Sequence, residues 1–156
     1  IELGANDALR GLSLTASQKN LKEIIVMSKK SGAEVLLLGM QIPPNYGQEY
    51  TKQFARLFVS LAQSEQVALL PFFLEGVATR PELFQADRIH PNEQAQPIMF
   101  GNVWKALRLQ LIPTLNTTNQ LHFHLGLHGN LLNELGPYLA TFFILTTFAV
   151  LYIGPF

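Results

Sequence analysis

Two uninterrupted apolar runs limit the folds that are open to this chain. One covers residues 35–40 and the other residues 67–70, and each follows a stretch whose apolar residues have the spacing of an amphipathic helix. Apolarity without alternation is typical of parallel strands that are covered on both faces. Parallel strands also need crossover connections, usually helices. The sequence therefore predicts an α/β domain with a parallel sheet.

The elements before the second apolar run can be placed from local signals. Residues 1–4 resemble the end of a first strand, and residues 5–14 are predicted to be a loop. A capping box of Thr15 and Gln18 predicts the start of the first helix, and Gly32 its end. The second helix is expected to bury one face, whose members are Tyr50, Phe54, Leu57, Phe58 and Leu61.

A longer loop and a final helix complete the predicted order. Residues 75–90 are expected to be mostly loop, with one helical turn near residues 81–84. Pro91 and Asn92 then open the last helix, with Asn92 as its N-cap. The order is strand, helix, strand, helix, strand, loop and helix, which is an α/β pattern.

Charged residues are distributed very unevenly along the chain. Residues 1–108 hold all 11 basic residues and 10 of the 11 acidic ones, whereas residues 109–156 hold only Glu134. The formal net charge is zero, so no basic field indicates nucleic-acid binding. The chain has no Cys, which excludes disulfides and thiolate chemistry. We predict a domain over residues 1–112 and an apolar tail over residues 113–156.

The tail contains a candidate membrane segment at residues 138–153. A helix over this segment would be about 24 Å long, which is shorter than a hydrocarbon core of about 30 Å. Tyr138 and Tyr152 lie near its two ends, as in an aromatic belt. A membrane helix, an apolar helix docked on the domain and a segment without a native role all remain open.

Polar residues follow the first predicted strand, where ligands of parallel sheets bind. Gly4 permits a strained turn, and the side-chain amide of Asn6 could donate a hydrogen bond to a developing oxyanion. The alternative is an ordinary turn in which Asn6 and Asp7 cap their own backbone. The residues alone leave both interpretations open.

A second polar group, Asp87 and His90, precedes the last helix. A carboxylate three residues before a histidine can accept the imidazole Nδ1 hydrogen, which leaves Nε2 as a general base. The alternative is a surface loop in which Asp87 caps a turn. Histidines also occur at positions 122, 124 and 128, but no acidic residue or Cys lies nearby. We interpret that second group as an exposed polar loop and predict no metal site.

Taken together, these blocks resemble the SGNH (GDSL-type) hydrolase family. Residues 2–11 resemble its G-x-N-D block, and residues 87–92 resemble its D-x-x-H block. Residues 40–47 and 69–73 resemble the branch of bacterial multifunctional acyl-CoA thioesterases, lysophospholipases and arylesterases. The resemblance covers about residues 1–108. It implies a three-layer α/β/α, flavodoxin-like parallel sheet, here without its first strands. The apolar C-terminal helix that we expect in the tail has no counterpart in the family.

The resemblance also implies a serine-esterase mechanism through an acyl-enzyme. Asn6 would donate in the oxyanion hole, Asp87 would orient His90, and His90 would be the general base. The implied substrate is a small acyl ester or thioester, and the implied location is periplasmic. No metal or organic cofactor is implied. The residues that would bind substrate are Gly4, Asp7, Leu9, Pro43 and Tyr46.

The family's nucleophilic serine lies in a G-D-S block upstream of the asparagine block, and this sequence contains no such block. We expect the chain to be a C-terminal fragment that is hydrolytically silent by itself. Gly11-Leu12-Ser13-Leu14 imitates the serine motif, but it follows the asparagine block, so Ser13 is not expected to be a nucleophile. The alternatives are a noncatalytic half-domain tethered by the apolar tail and a nucleotide-binding module. No Gly-rich loop opens a helix, which disfavours the nucleotide-binding module.

Overall fold

The computed structural model describes residues 1–124, with side chains described as far as residue 111. The candidate membrane segment at residues 138–153 and His128 lie outside the described residues. The chain divides into two compact units, residues 1–75 and the part from residue 76 onward.

The first unit contains a parallel pair of strands joined by a helix. Strand β1 (Leu36–Leu38) pairs with β2 (Ala68–Leu70) in the register Leu36↔Ala68, Leu37↔Leu69 and Leu38↔Leu70. The predicted parallel sheet is thereby confirmed for these two strands. The helices of this unit are α1 (Ala5–Leu9), α2 (Leu14–Lys30) and α3 (Gln48–Glu65), and a 3₁₀ turn covers Pro44–Tyr46.

The predicted strand at residues 1–4 is represented only by the backbone of Ile1. Its nitrogen donates to the Leu36 carbonyl oxygen at 2.7 Å, and its carbonyl oxygen accepts from the Leu38 N–H at 2.9 Å. This is the bonding pattern of a residue on a neighbouring parallel strand. Ile1 therefore lies along the edge of β1 that β2 does not occupy.

The predicted loop over residues 5–14 is wrong in its first half, because Ala5–Leu9 forms helix α1. Its N-cap is Gly4, whose φ of 99° is left-handed and disfavoured for residues with a Cβ. Gly11 also has a positive φ, 69°, two residues after the helix ends. A helix of five residues is too short to show a hydrophobic period, so these two glycines were the available signal.

Helix α2 begins at a different cap from the predicted one. The Ser13 hydroxyl, and not the Thr15 side chain, accepts from the Ala16 N–H at 3.3 Å. The end of the helix is confirmed, since Gly32 takes a φ of 84° directly after the C-cap. Ser13 thus has a structural role at the start of α2.

The predicted apolar face of α3 forms the centre of the first unit's core. Phe54 and Phe58 are fully buried and meet edge to face, with ring centroids 5.1 Å apart. They pack in one cluster with Ile25 from α2 and Leu37 from β1. Apolar side chains of both α2 and α3 therefore pack against the sheet.

The two chain segments stay in contact beyond the ends of β1 and β2. The Gly39 N–H donates to the Leu70 carbonyl oxygen at 2.7 Å, and the Phe73 N–H donates to the Gly39 carbonyl oxygen at 2.8 Å. A Cβ on Gly39 would lie 2.3 Å from the Pro71 carbonyl oxygen, a distance that real Cβ atoms do not adopt. The absence of a side chain at Gly39 therefore permits this backbone contact.

The second unit begins with two short 3₁₀ turns, of which the first was predicted. Pro81–Leu83 forms a 3₁₀ turn, as expected, and another covers Glu93–Ala95. Asn92, predicted as the N-cap of the last helix, instead caps the second of these turns, which directly precedes that helix, because its Oδ1 accepts from the Gln94 N–H at 3.0 Å.

The last helix, α4, extends over Gln96–His124. The proposed boundary between residues 112 and 113 lies inside it, and the helix continues through that point. His122 and His124 are helical, so the expected polar loop is wrong at these two positions. Among residues 1–124, no helix is long and apolar enough to span a bilayer.

Candidate active site

The Asp87 carboxylate organises both a turn and a histidine. Its Oδ1 accepts from the backbone N–H groups of Ile89 at 2.9 Å and His90 at 3.0 Å. Its Oδ2 lies 2.6 Å from the His90 Nδ1. Arg88, inside the turn, has a left-handed φ of 58°. One carboxylate therefore both caps the turn and contacts the imidazole, so the two interpretations of this segment do not exclude each other.

The charge state of Asp87 determines how the imidazole is protonated. Its hydrogen bond with the His90 side chain, helped by the N–H groups of Ile89 and His90, lowers the pKa of this carboxyl to about 2. The ionised carboxylate can only accept, so the His90 Nδ1 carries the shared hydrogen. In the neutral ring Nε2 then has a free lone pair, as a general base requires.

The loop that carries Asp87 and His90 is closed at its base. Phe84 and Pro91 form an antiparallel bridge, and the Gln85 N–H donates to the His90 carbonyl oxygen at 2.8 Å. The Asn92 side-chain amide donates to the Phe84 carbonyl oxygen at 3.3 Å. These bonds fix the backbone on both sides of His90. A cap at Asn92 is predictable from local sequence, whereas no local signal indicates the contact of Gln85 with His90.

The imidazole is accessible although its backbone is fixed. The side chains of His90 and Asp87 are 42% and 43% exposed, so water or a substrate can reach the ring. A shallow cavity of about 280 Å³ in the second unit is lined by Gln85, Asn92, Glu93 and Gln94, and not by the histidine. Within residues 1–124, no three His, Cys, Asp or Glu side chains cluster in a way that could hold a metal ion.

The titration of Asp87 is a direct test of this geometry. Since its pKa is lower when the loop is folded than the ordinary value of 3.8, the stabilisation of the loop should be complete above pH 4 and decline as the pH falls towards 2. In the His90→Ala variant the pKa should rise, yet stay below 3.8 because the backbone donors remain. Carboxyl ¹³C NMR titration would measure both values. An unchanged pKa in that variant would contradict the contact.

Asn6 lies in the first turn of α1 with an exposed side chain. The N-cap of α1 is Gly4, and no side chain caps this end of the helix. Among residues 1–124, the Asn6 amide has no hydrogen-bond partner, so the structure does not show the alternative in which it caps its own backbone. The amide is thus available to donate to a ligand.

The other candidate binding residues belong to the same unit as Asn6. Asp7 and Leu9 lie on α1 and are partly buried, whereas Pro43 and Tyr46 flank and end the exposed 3₁₀ turn. Asp87 and His90 belong to the second unit. Among the candidate site residues, a side-chain contact therefore joins Asp87 to His90.

The chain has six serines, all between residues 13 and 64. Ser13 caps α2, and Ser17 is buried within that helix. The hydroxyls of Ser28 and Ser31 donate to carbonyl oxygens one turn before them, and that of Ser64 donates mainly to the Glu65 carboxylate at 2.9 Å. Ser60 is exposed on α3. The serines therefore lie on helices α2 and α3 or beside their ends.

Comparison with known proteins identifies related sequences. The model of the GDSL-like Lipase/Acylhydrolase family matches residues 1–97. Esterase TesA of Pseudomonas aeruginosa is 48% identical over 108 residues, which are 69% of this chain and 54% of the relative. Thioesterase 1/protease 1/lysophospholipase L1 of Escherichia coli (strain K12) is 41% identical over 110 residues, or 70% of this chain and 52% of the relative. The chain spans about half the length of these curated relatives.

Solved structures agree with the sequence comparison. The crystal structure of TesA is 48% identical, with a TM-score of 0.65 over 67% of this chain and 58% of that one. Esterase EstA from Pseudoalteromonas sp., inhibited by monoethylphosphonate, is 35% identical, with a TM-score of 0.66 over 70% of this chain and 60% of that one. The matching folds and the family model lead to one conclusion: the chain belongs to the GDSL-like lipase/acylhydrolase family.

Proposed function

We propose that this chain supplies the histidine base and one oxyanion donor of a serine-type acyl hydrolase. The observation that carries the proposal is the 2.6 Å contact between the Asp87 Oδ2 and the His90 Nδ1, within a turn that Asp87 also caps. A base must be held in one tautomer and one orientation to accept a proton efficiently. The exposed imidazole of His90 meets both requirements.

In the proposed reaction each of the three side chains has a defined role. The His90 Nε2 accepts the proton of a serine hydroxyl as the serine oxygen attacks the acyl carbon, and Asp87 stabilises the imidazolium. The Asn6 amide donates to the oxyanion of the tetrahedral intermediate. His90 then protonates the leaving alcohol or thiol, and an acyl-enzyme remains. Water attacks this ester in the second half of the reaction, again with His90 as the base.

The substrate class is proposed from the names of the relatives. They include an esterase, an arylesterase of Vibrio mimicus that is 46% identical over 97 residues, and a thioesterase that is also a lysophospholipase. A small acyl ester or thioester is common to these names. We propose that class for this chain, without a metal or organic cofactor.

The proposal places the nucleophile outside these 156 residues. The serines lie on or beside helices α2 and α3, and the curated relatives are about twice as long as the matched part. Residues 1–112 would then be the C-terminal part of a three-layer α/β/α domain, and residues 113–156 an apolar tail outside the family. The serine would come from the part of the domain that the relatives contain and this sequence does not.

Two arms of one experiment test the proposal. In the first, the chain alone is treated with a fluorophosphonate probe, and no serine is expected to be labelled. In the second, the chain is co-expressed with the part of Pseudomonas aeruginosa Esterase TesA that it does not match, and hydrolysis of p-nitrophenyl butyrate is measured. Turnover is expected to be lost in His90→Ala and kept in His122→Ala, a matched histidine on α4.

Each unexpected outcome removes a specific part of the proposal. Labelling of a serine in the chain alone, if it depends on His90, would show that the nucleophile is among the residues that we excluded. An assembled protein that is folded by circular dichroism but has no turnover that depends on His90 would contradict the hydrolase function. That second result would favour a noncatalytic half-domain tethered by its apolar tail.

A further inference from the structure

Helix α1, which carries Asn6, is too short to hold its own conformation. It has five residues, and the first turn of a helix is unfavourable to form without further contacts. Ala8 is its one buried residue. The orientation of Asn6 must therefore depend on the contacts between α1 and the rest of the first unit.

The end of α1 is closed by a pair of backbone hydrogen bonds. The Gly11 N–H donates to the Ala8 carbonyl oxygen and the Leu12 N–H donates to the Asp7 carbonyl oxygen, both at 3.0 Å. With Gly11 in the left-handed region, this is the Schellman arrangement of a helix end. The pair fixes the turn internally but does not connect it to the rest of the unit.

Apolar packing attaches α1 to the core through Ala8, and Tyr50 on α3 adds a polar connection. Its hydroxyl lies 2.9 Å from the Leu12 carbonyl oxygen and 3.3 Å from the Ala8 carbonyl oxygen. A phenol has one hydrogen, so the shorter contact is the main bond and the longer one shares it. The hydroxyl thus bridges the two sides of the turn that ends α1.

The Tyr50 ring is itself fixed by packing. The Tyr50 ring packs against the buried core cluster, one helical turn before the fully buried Phe54 on the same face of α3. A tyrosine on an apolar face usually finds a partner for its hydroxyl. This signal was present in the sequence, but the partners are 38 and 42 residues away.

We propose that Tyr50 is a positioning residue, whose hydroxyl locks α1 and thereby sets the orientation of the Asn6 amide. The catalytic part of this inference rests on the proposed oxyanion role of Asn6. The structural part does not, because it concerns only the attachment of α1 to α3.

The attachment is tested on the chain by itself with limited trypsin digestion. The exposed Arg10 follows α1, and cleavage after it reports local opening. Loss of the hydroxyl in Tyr50→Phe is expected to increase this cleavage rate about five- to tenfold, the effect of losing one hydrogen bond of about 1 kcal/mol. Cleavage after Arg108 on α4 should not change.

The matched control is Thr51→Val. It removes a neighbouring hydroxyl of α3 that donates to the Gly47 carbonyl oxygen at 2.8 Å, away from α1. This variant should leave cleavage after Arg10 unchanged. The proposed attachment would be overturned if the rate of cleavage after Arg10 were the same in Tyr50→Phe and the parent chain. It would also be overturned if the rates at all cleavage sites rose equally in that variant.

The catalytic part is tested in the assembled hydrolase by a double-mutant cycle. Tyr50→Phe is expected to lower kcat about tenfold with little change in KM, and to have no further effect in an Asn6→Ala background. Additive effects, or an unchanged kcat despite faster cleavage, would overturn the positioning of Asn6 while the attachment stands. Absence of any turnover in the assembled parent would count against the proposed function alone, since the digestion is read without it.

Discussion

Replacement of Asp87 by Asn is expected to reduce the kcat of the assembled hydrolase by about 10⁴-fold. The amide introduced at position 87 can still accept from the N–H groups of Ile89 and His90 through its oxygen, so the turn should survive. Its NH₂ group, however, then faces the His90 Nδ1 in place of the present Oδ2, 2.6 Å away. The hydrogen of the neutral imidazole would move to Nε2, and the ring would lose its function as a base.

The measurement is kcat with p-nitrophenyl butyrate, together with the thermal unfolding midpoint of each variant. His90→Ala should cost about 10⁶-fold, since a triad acts as a unit. Glu82→Gln is the matched control, because it converts an exposed carboxylate of the same unit, paired with Arg80 at 2.8 Å, to an amide. It should leave kcat unchanged. A loss smaller than tenfold in Asp87→Asn would contradict the role of Asp87.

Phe54→Ala is expected to lower the free energy of unfolding of the first unit by about 3–5 kcal/mol. Phe54 is fully buried at the centre of the core and packs edge to face on Phe58, so its removal leaves a cavity that α2 and α3 cannot easily close. Urea unfolding followed by circular dichroism would measure the change.

The control for this variant is Val59→Ala on the same helix. Val59 is 42% exposed, so its truncation should cost less than about 1 kcal/mol. A loss below about 1.5 kcal/mol in Phe54→Ala would show that the core repacks around the missing ring, or that α3 is not its centre.

The parts of the fold that could be predicted are those whose signal is repeated along the chain. The apolar face of α3 repeats over about three turns, and β1 and β2 lie in continuous apolar runs, so a few ambiguous residues did not change the predicted elements. Helix α1 has no such repetition. Ser13 and Thr15 are both good caps two residues apart, and local sequence could not choose between them.

The candidate site shows the same division between local and distant information. Asp87 and His90 are three residues apart, and their contact follows from spacing and chemistry alone. The contact of Tyr50 with Leu12 depends on how α3 packs against α1, which no local pattern encodes. The role proposed for Asn6 rests on a family resemblance, and its exposed amide is compatible with that proposal. The helical state of His122 and His124 could not be seen, because they lie in a stretch of few charges and weak periodicity.

The two oxygens of Asp87 also restrict how this site can change over generations. One oxygen holds the backbone turn and the other holds the ring, so Asp87→Ala would disturb both together, whereas Asp87→Asn would disturb mainly the ring. A lineage that replaces Asp87 with a residue that has no side-chain acceptor must first obtain a new acceptor for the Ile89 and His90 N–H groups. The order of such substitutions is therefore constrained, and laboratory evolution of this loop should begin with the turn and only afterwards alter the ring.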